Sequence, residues 1–385
     1  MQVPQALHGG PIYLDYNATT PVDPRVAQAC APFLTESFGN PSSGHAYGHA
    51  ARAALDEARG AVAGVLGCAA GEVVFTGGGS DGDTLAIRGA ALARRADGRH
   101  VITQATEHPA VLAACDSLRR LHGFEVTVLP VDRDGLVDPD TLAAALRPDT
   151  VLVTIMHANN ETGTIQPIAD LAAIAHAGKA LLHTDASQTM GKIPVEVAAL
   201  GADLVTVTGH KMYAPAGVGA LYVRARVELE PLVYGGGQEG GRRGGTENIV
   251  GIAALGRAAT LVDTQTGAHL TRLRDALHQQ LDEALPGRVH LNGHSHRRLP
   301  NTLNIRIEGT TGNRLLAAVD QIAASTGSAC HEGTDQPSPV LTAMGQPADQ
   351  ANAALRLTLG RWSTETDIEH AAALLTQAAH QTVTS

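Results

Sequence analysis

Two short stretches decide how this chain folds: Leu181-Leu-His-Thr-Asp185 and Val205-Thr-Val-Thr-Gly-His-Lys211. Each is an apolar run that ends abruptly in a group able to do chemistry, and the residues between them suffice for a turn and a short helix. Strand, helix and strand in that order form a βαβ unit, whose strands run parallel. Outward from this unit the alternation continues over about residues 48–225. Helix-like stretches at 48–66, 83–95, 109–122, 140–146 and 168–178 alternate with strand candidates at 72–76, 100–104, 124–129, 150–156, 180–185, 203–208 and 218–223. Short apolar strands alternating with helices predict an α/β fold with a mostly parallel central sheet covered on both faces. Ligands of such sheets bind at the C-terminal ends of the strands.

Beyond this region lies a Gly-rich, basic loop at 232–248, then a long helical stretch at about 249–284. Strand-like segments follow at 302–307 and 354–358, with a final helix near 366–380. At 385 residues the chain exceeds a comfortable single core. We therefore expect a large domain at 14–256 and a smaller α+β domain at 257–385, with residues 1–13 packing nearby.

Composition narrows the function. A net charge of −10 argues against nucleic acid as the main partner. No apolar run reaches the ~18 residues a membrane helix needs, which predicts a soluble, cytoplasmic protein. Cys30, Cys68, Cys115 and Cys330 are far apart and form no CxxC pair, so the sequence suggests neither a zinc site nor a disulfide framework. Lysine is the sharper signal. Lys179, Lys192 and Lys211 are the only three, against 28 basic residues in all. Arginine serves as the generic cation here, and arginine cannot form a Schiff base, so a surviving lysine is a candidate amine. Chance survival is the bland account, and we apply it to Lys179 and Lys192.

Several strand ends carry candidate chemistry, each with an ordinary structural alternative. Lys211, at the end of its strand, can be desolvated into a nucleophile, although a strand-end lysine is usually a solvated surface group. Asp185 could pair with a protonated pyridine nitrogen, or simply cap a helix. Phe75-Thr-Gly-Gly-Gly-Ser80 runs into a helix, and its free N–H groups suit a phosphate. It has neither the GxGxxG pattern nor a Walker lysine. His108 could stack on a ring and shuttle protons, or be a structural histidine. In Asn159-Asn160-Glu161 the amides could bond a ring oxygen or merely form an Asx turn. Together these groups suit pyridoxal phosphate better than NAD or ATP.

With those residues in view, the chain resembles the NifS/IscS-type cysteine desulfurases, fold-type I pyridoxal-phosphate enzymes of the class V aminotransferase family. The likeness runs from Tyr13-Leu-Asp-Tyr-Asn-Ala-Thr-Thr-Pro21 and Phe38-Gly-Asn-Pro-Ser-Ser43 to Pro300-Asn-Thr-Leu-Asn304, Ser325-Thr-Gly-Ser-Ala-Cys330 and Leu355-Arg-Leu-Thr-Leu-Gly-Arg361. The resemblance implies that Lys211 joins the cofactor, Asp185 pairs with its ring nitrogen and His108 stacks on the ring. Gln188 and Asn160 would bond the ring oxygen. Gly79, Ser80, Thr208 and His210 would hold the phosphate, with Thr246 reaching it from a second subunit of a homodimer. Arg356, helped by Asn17, would clamp the carboxylate of L-cysteine. Cys330 would take the sulfur as a persulfide, releasing alanine, and pass it to a sulfur-acceptor protein, as in iron–sulfur cluster biogenesis. No metal is implied. Cys330 precedes a polar stretch, His331-Glu-Gly-Thr-Asp-Gln336, which suits an accessible thiolate. The other three cysteines, in Ala/Val/Leu-rich settings, read as small hydrophobes.

The chain departs from the family at Asp81-Gly82-Asp83-Thr84, at Gly240 and Gly244 in the Gly-rich loop, at Ala216 and at His331. These changes spare the cofactor set and bear on acceptor choice and sulfur transfer. The competing expectations are a selenocysteine lyase or cysteine-conjugate C–S β-lyase, and a catalytically idle scaffold for sulfur carriers.

Overall fold

The computed structural model describes residues 2–263, 265–327 and 336–382. A short strand, β1 (Ile12–Tyr13), opens the chain. Seven strands then build the large sheet. These are β2 (Val73–Thr76), β3 (His100–Gln104), β4 (Glu125–Leu129), β5 (Thr150–Thr154), β6 (Leu181–Asp185), β7 (Leu204–Thr208) and β8 (Gly219–Val223). Their order is β2-β8-β7-β6-β5-β3-β4. The pairs β7–β6, β6–β5, β5–β3 and β3–β4 are parallel, while β8 runs antiparallel to both neighbours. Two antiparallel steps return β2 to the direction of β7, so the Gly cluster after β2 opens on the same edge as Lys211 after β7.

Every residue of β2, β3, β5, β7 and β8 is buried, whereas the edge strand β4 is exposed along much of its length. That is why the inner strands read as continuous apolar runs. The helices Ala46–Leu66 and Ile249–Thr260 cover one face and cross closely. A Cβ on Gly256 would stand 2.5 Å from the Cα and Cβ of Ala58, so only glycine allows that approach. The helix foreseen at 83–95 starts earlier, at Gly79, and passes through a π-turn at Leu85–Gly89 before ending at Ala93.

The second core gathers around an antiparallel sheet of β9 (Val289–Leu291), β10 (Thr302–Ile307) and β12 (Ala354–Thr358). The helices Gln265–Ala284 and Glu365–Gln381 pack on it. The strand β11 (Ile322–Ala323) pairs in parallel with β1, and Leu14 lies in this core, so the N-terminal segment joins the C-terminal part of the chain. The helical stretch expected at 249–284 is two helices. Ala258 and Ala259 belong to the first core and Leu270 to the second, and the first helix closes where Leu261 N–H bonds Ala258 O.

Candidate active site

One pocket collects groups from five strand ends. β2 leads to Gly79, Ser80 and Asp83, β3 to His108, β5 to Asn160, β6 to Asp185 and Ser187, and β7 to Thr208, His210 and Lys211. Arg356 reaches in from β12 and Asn17 from the segment after β1.

Lys211 closes a one-turn 3-10 helix, Gly209–Lys211. A Cβ on Gly209 would crowd Val218 at 3.0 Å, which fixes glycine at the turn. The N-terminal segment straps the turn down: Thr20 N–H and Oγ1 both donate to His210 O, and Tyr213 N–H donates to Thr20 Oγ1. Tyr213 takes a left-handed φ of 69° and stands edge-on to Trp362, ring centroids 5.2 Å apart. The Arg361 guanidinium lies 3.6 Å over the Tyr213 ring and pairs with Asp23 at 2.7 Å.

The pocket fits a phosphate on two observations. The hydroxyls of Ser187 and Thr208 are buried without a hydrogen-bond partner among the described residues. They flank the glycines, since a Cβ on Gly79 would lie 3.1 Å from Ser187 Oγ and one on Gly78 would lie 3.9 Å from Thr208 Oγ1. Buried hydroxyls left idle at a helix start are donors awaiting an anion. His210 bonds Thr19 Oγ1 through Nδ1 at 3.1 Å, leaving Nε2 for the pocket, and burial lowers its pKa to about 4.

Asp185 accepts from Ser187 N–H at 2.8 Å, so one oxygen is held and the carboxylate still lines the pocket. Beside it lies a residue that sequence reasoning took only as a departure. Asp83 is 1% exposed, and burial and then the Asp185 charge push its carboxyl pKa well up. His108 Nδ1 accepts from Ala110 N–H at the start of its helix, and burial lowers its pKa. A neutral ring in that arrangement carries its proton on Nε2. The two asparagines divide the labour: Asn159 Oδ1 accepts from Glu161 and Thr162 N–H as an Asx turn, while Asn160 lines the pocket.

Among the described residues Arg356 is the largest fully buried side chain, and its Nε has no hydrogen-bond partner among them. Nη2 donates to Asp15 Oδ1 at 2.7 Å and Nη1 to Asn160 O at 3.3 Å. Asn17 is spoken for: Nδ2 donates to Asn160 O and Thr302 Oγ1, and Oδ1 accepts from Asn301 and Lys192. Gln188 is buried behind the lining residues, donating to Asn17 O and accepting from Lys192 Nζ at 2.8 Å. Asp15, Ser187 and Lys192 were missed as site residues. For Lys192 a signal existed, because lysine is rare here, and the chance account given to it above does not describe its place in this network.

Thr246 is exposed and lies outside this pocket. The loop that carries it is pinned by Glu239, which accepts both arms of Arg59 at 2.8 Å and the Phe75 N–H at 2.9 Å. Cys330 and His331 lie outside the described residues. Cys30 and Cys115 are buried and Cys68 is half-buried; burial pushes the Cys68 thiol up to about 11 and Cys115 to about 12. Among the described residues no cluster of His, Cys, Asp or Glu could hold a metal.

A lysine, a carboxylate, an imidazole and an anion cradle on one edge of such a sheet define a pyridoxal-phosphate enzyme of the doubly covered α/β transferase type. The chain belongs to the Aminotransferase class-V family, whose profile matches residues 12–370. It is 45% identical to "Cysteine desulfurase IscS" of Dictyoglomus turgidum over 364 residues, covering 93% of this chain and 92% of the relative. A solved NifS-like protein superposes with a TM-score of 0.88 at 34% identity, covering 96% of this chain and 99% of that one. A structure described as SspA in complex with cysteine superposes at 0.82, with 36% identity over 91% and 99% of the two chains.

Proposed function

We infer that this chain is a cysteine desulfurase: it uses pyridoxal 5′-phosphate to remove sulfur from L-cysteine, leaving L-alanine. The observation that carries the reading is the meeting of Lys211, Asp185 and the two idle hydroxyls of Ser187 and Thr208 around one pocket with Arg356 on its wall. When bound, the cofactor draws electron density from the substrate's α-carbon and returns it later in the reaction.

The chain's own residues do the rest. Gly79, Ser80, Ser187, Thr208 and His210 hold the phosphate. Asp185 would keep the ring nitrogen protonated, with Asp83 buried beside it, where burial raises the Asp83 carboxyl pKa. His108 would pack against the ring and, with Nδ1 held by Ala110 N–H, would handle a proton at the substrate's sulfur through Nε2. Asn160 on the pocket wall, and the spare amide hydrogen of Gln188 from behind it, would serve the ring oxygen. Arg356 receives the substrate carboxylate through its idle Nε and remaining N–H groups. Asn17 acts by holding Asn160 and Gln188 in place rather than by touching the carboxylate. The Lys211 amine removes the Cα proton. Cys330 thiolate then attacks the substrate sulfur: the S–S bond forms, the Cβ–S bond breaks, and its electron pair ends in a C–H bond of alanine. The persulfide passes to a sulfur-acceptor protein.

A homodimer in the cytoplasm is part of this reading. Exposed Leu34, Phe38, Tyr47 and Tyr234 support a covered surface, and Thr246 is free to reach a second copy's phosphate. No described helix is long and apolar enough to cross a membrane. Borohydride reduction of holoenzyme followed by peptide mapping should place the cofactor on Lys211; a label elsewhere overturns the assignment. Cys330→Ala should abolish alanine and persulfide formation with the cofactor still bound. Sulfur release that survives it would instead indicate a β-lyase.

A further inference from the structure

Lys192 is the odd member of the buried network. It lies behind the pocket, and its Nζ donates to two neutral oxygens, Gln188 Oε1 at 2.8 Å and Asn17 Oδ1 at 3.0 Å. Among the described residues no carboxylate pairs with it; the charged groups that act on it are Lys211 and Arg356. A desolvated amine between two cations is a costly thing to keep where arginine has replaced lysine almost everywhere else.

We propose that Lys192 is a positioning residue that sets which way the Gln188 side-chain amide faces. The two ends of an amide have nearly the same shape, so only their hydrogen-bond partners decide the orientation. The Lys192 Nζ offers hydrogens and draws the Gln188 oxygen towards itself. The Gln188 Nε2 then points the other way and donates one hydrogen to Asn17 O at 3.0 Å. Turning the amide over would set N–H against N–H at Lys192 and oxygen against oxygen at Asn17. Asn17 itself depends less on this lysine, because Asn301 Nδ2 also donates to its Oδ1 at 3.0 Å. Among the described residues Gln188 has no such second anchor for its oxygen. Desolvation and the neighbouring cations depress the Lys192 pKa; the ammonium form, a donor with no lone pair, is the one that excludes the turned-over amide.

The consequence concerns the second Nε2 hydrogen, which remains for the ring oxygen that the proposed function gives to Gln188; the inference rests on that assignment. An oxygen that keeps its donor holds charge comfortably and binds the adjacent Schiff-base proton less tightly. Without the donor that proton is held more strongly.

The test is a pH titration of the visible absorption of holoenzyme reconstituted with pyridoxal 5′-phosphate, alongside thermal unfolding of the apoprotein. Gln188→Leu and Lys192→Met should each raise the apparent pKa of the chromophore by about one unit, a tenfold change in proton affinity. The double variant should go no further than either single one, and Lys192→Arg, still a donor, should titrate like the wild type. Lys192→Gln, whose amide can accept as well as donate, stands in with the same expected rise if Lys192→Met does not fold. A shift in Gln188→Leu with none in the Lys192 variants, even if they unfold earlier, overturns the role of Lys192 alone. Shifts that add in the double variant overturn it too. No shift in Gln188→Leu overturns the assignment of Gln188 to the ring oxygen, and the inference with it.

Discussion

Arg356 and Asp15, 341 residues apart in sequence, meet at 2.7 Å on the wall of the pocket. The pair joins the segment after β1 to β12, so the N-terminal strap and the Arg356 guanidinium are one unit. Asp15 occupies Nη2 and leaves Nε unpartnered, which fixes the face of the guanidinium that a carboxylate meets.

Asp15→Asn should therefore act on substrate binding more than on chemistry. Arg356 would lose its counter-charge beside Lys211 and Lys192 and leave its fixed pose. KM for cysteine is expected to rise about tenfold, worth ~1.4 kcal/mol, with kcat changed less. Steady-state alanine formation separates the two.

Ser187→Ala and Thr208→Ala each remove an idle hydroxyl from the proposed phosphate cradle. A hydrogen bond to a charged group contributes about 1.5–3 kcal/mol, so each variant should bind pyridoxal phosphate at least about tenfold more weakly. Titration of apoprotein, followed by absorbance, measures this without turnover.

Glu107 carries a pH signature. It is buried, its Oε1 accepts from Met156 and Gln104, and burial raises its pKa from 4.5 to about 8. Below about pH 4.5 both folded and unfolded chains hold the proton, so there is no penalty. Between about 4.5 and 8 the unfolded chain releases it first, and stability falls as pH rises through that window. Glu107→Gln removes the penalty while keeping the acceptor for Met156 N–H. Its stability relative to wild type should be greater at pH 8 than at pH 5 in denaturant unfolding.

Gly256→Ala tests the helix crossing. The new methyl would fall 2.5 Å from Ala58, and overpacking of this kind costs about 1–3 kcal/mol. Thermal unfolding should begin earlier, with the spectrum of bound cofactor little changed below the transition.

How much of this was legible depended on sequence distance. The inner strands are buried on both faces, so β5, β6 and β7 appear as plain apolar runs and their ends could be located to within a residue or two. Asp185 closes β6, Lys211 follows the end of β7, and His108 follows β3 in the same way. Asp15 was not legible, because its partner comes from the far end of the chain. Ser187 was not legible either, since nothing local marks a hydroxyl that turns toward the Gly cluster after β2. Asp83 looked like a family departure, and only burial against Asp185 gives it meaning. Lys192 was within reach: the scarcity that singled out Lys211 applies equally to it, but its partners Gln188 and Asn17 are amides, which no charge pattern reveals. The helices Ile249–Thr260 and Gln265–Ala284 merged in sequence because periodicity does not say which of two cores a face will join.

Trp362 is the chain's one tryptophan, and it stands against Tyr213, two residues beyond Lys211. Indole fluorescence from this protein consequently has a single origin, wedged behind the Lys211 turn. Quenching or a wavelength change on adding cofactor or cysteine reads that turn directly, with no label and no engineered probe.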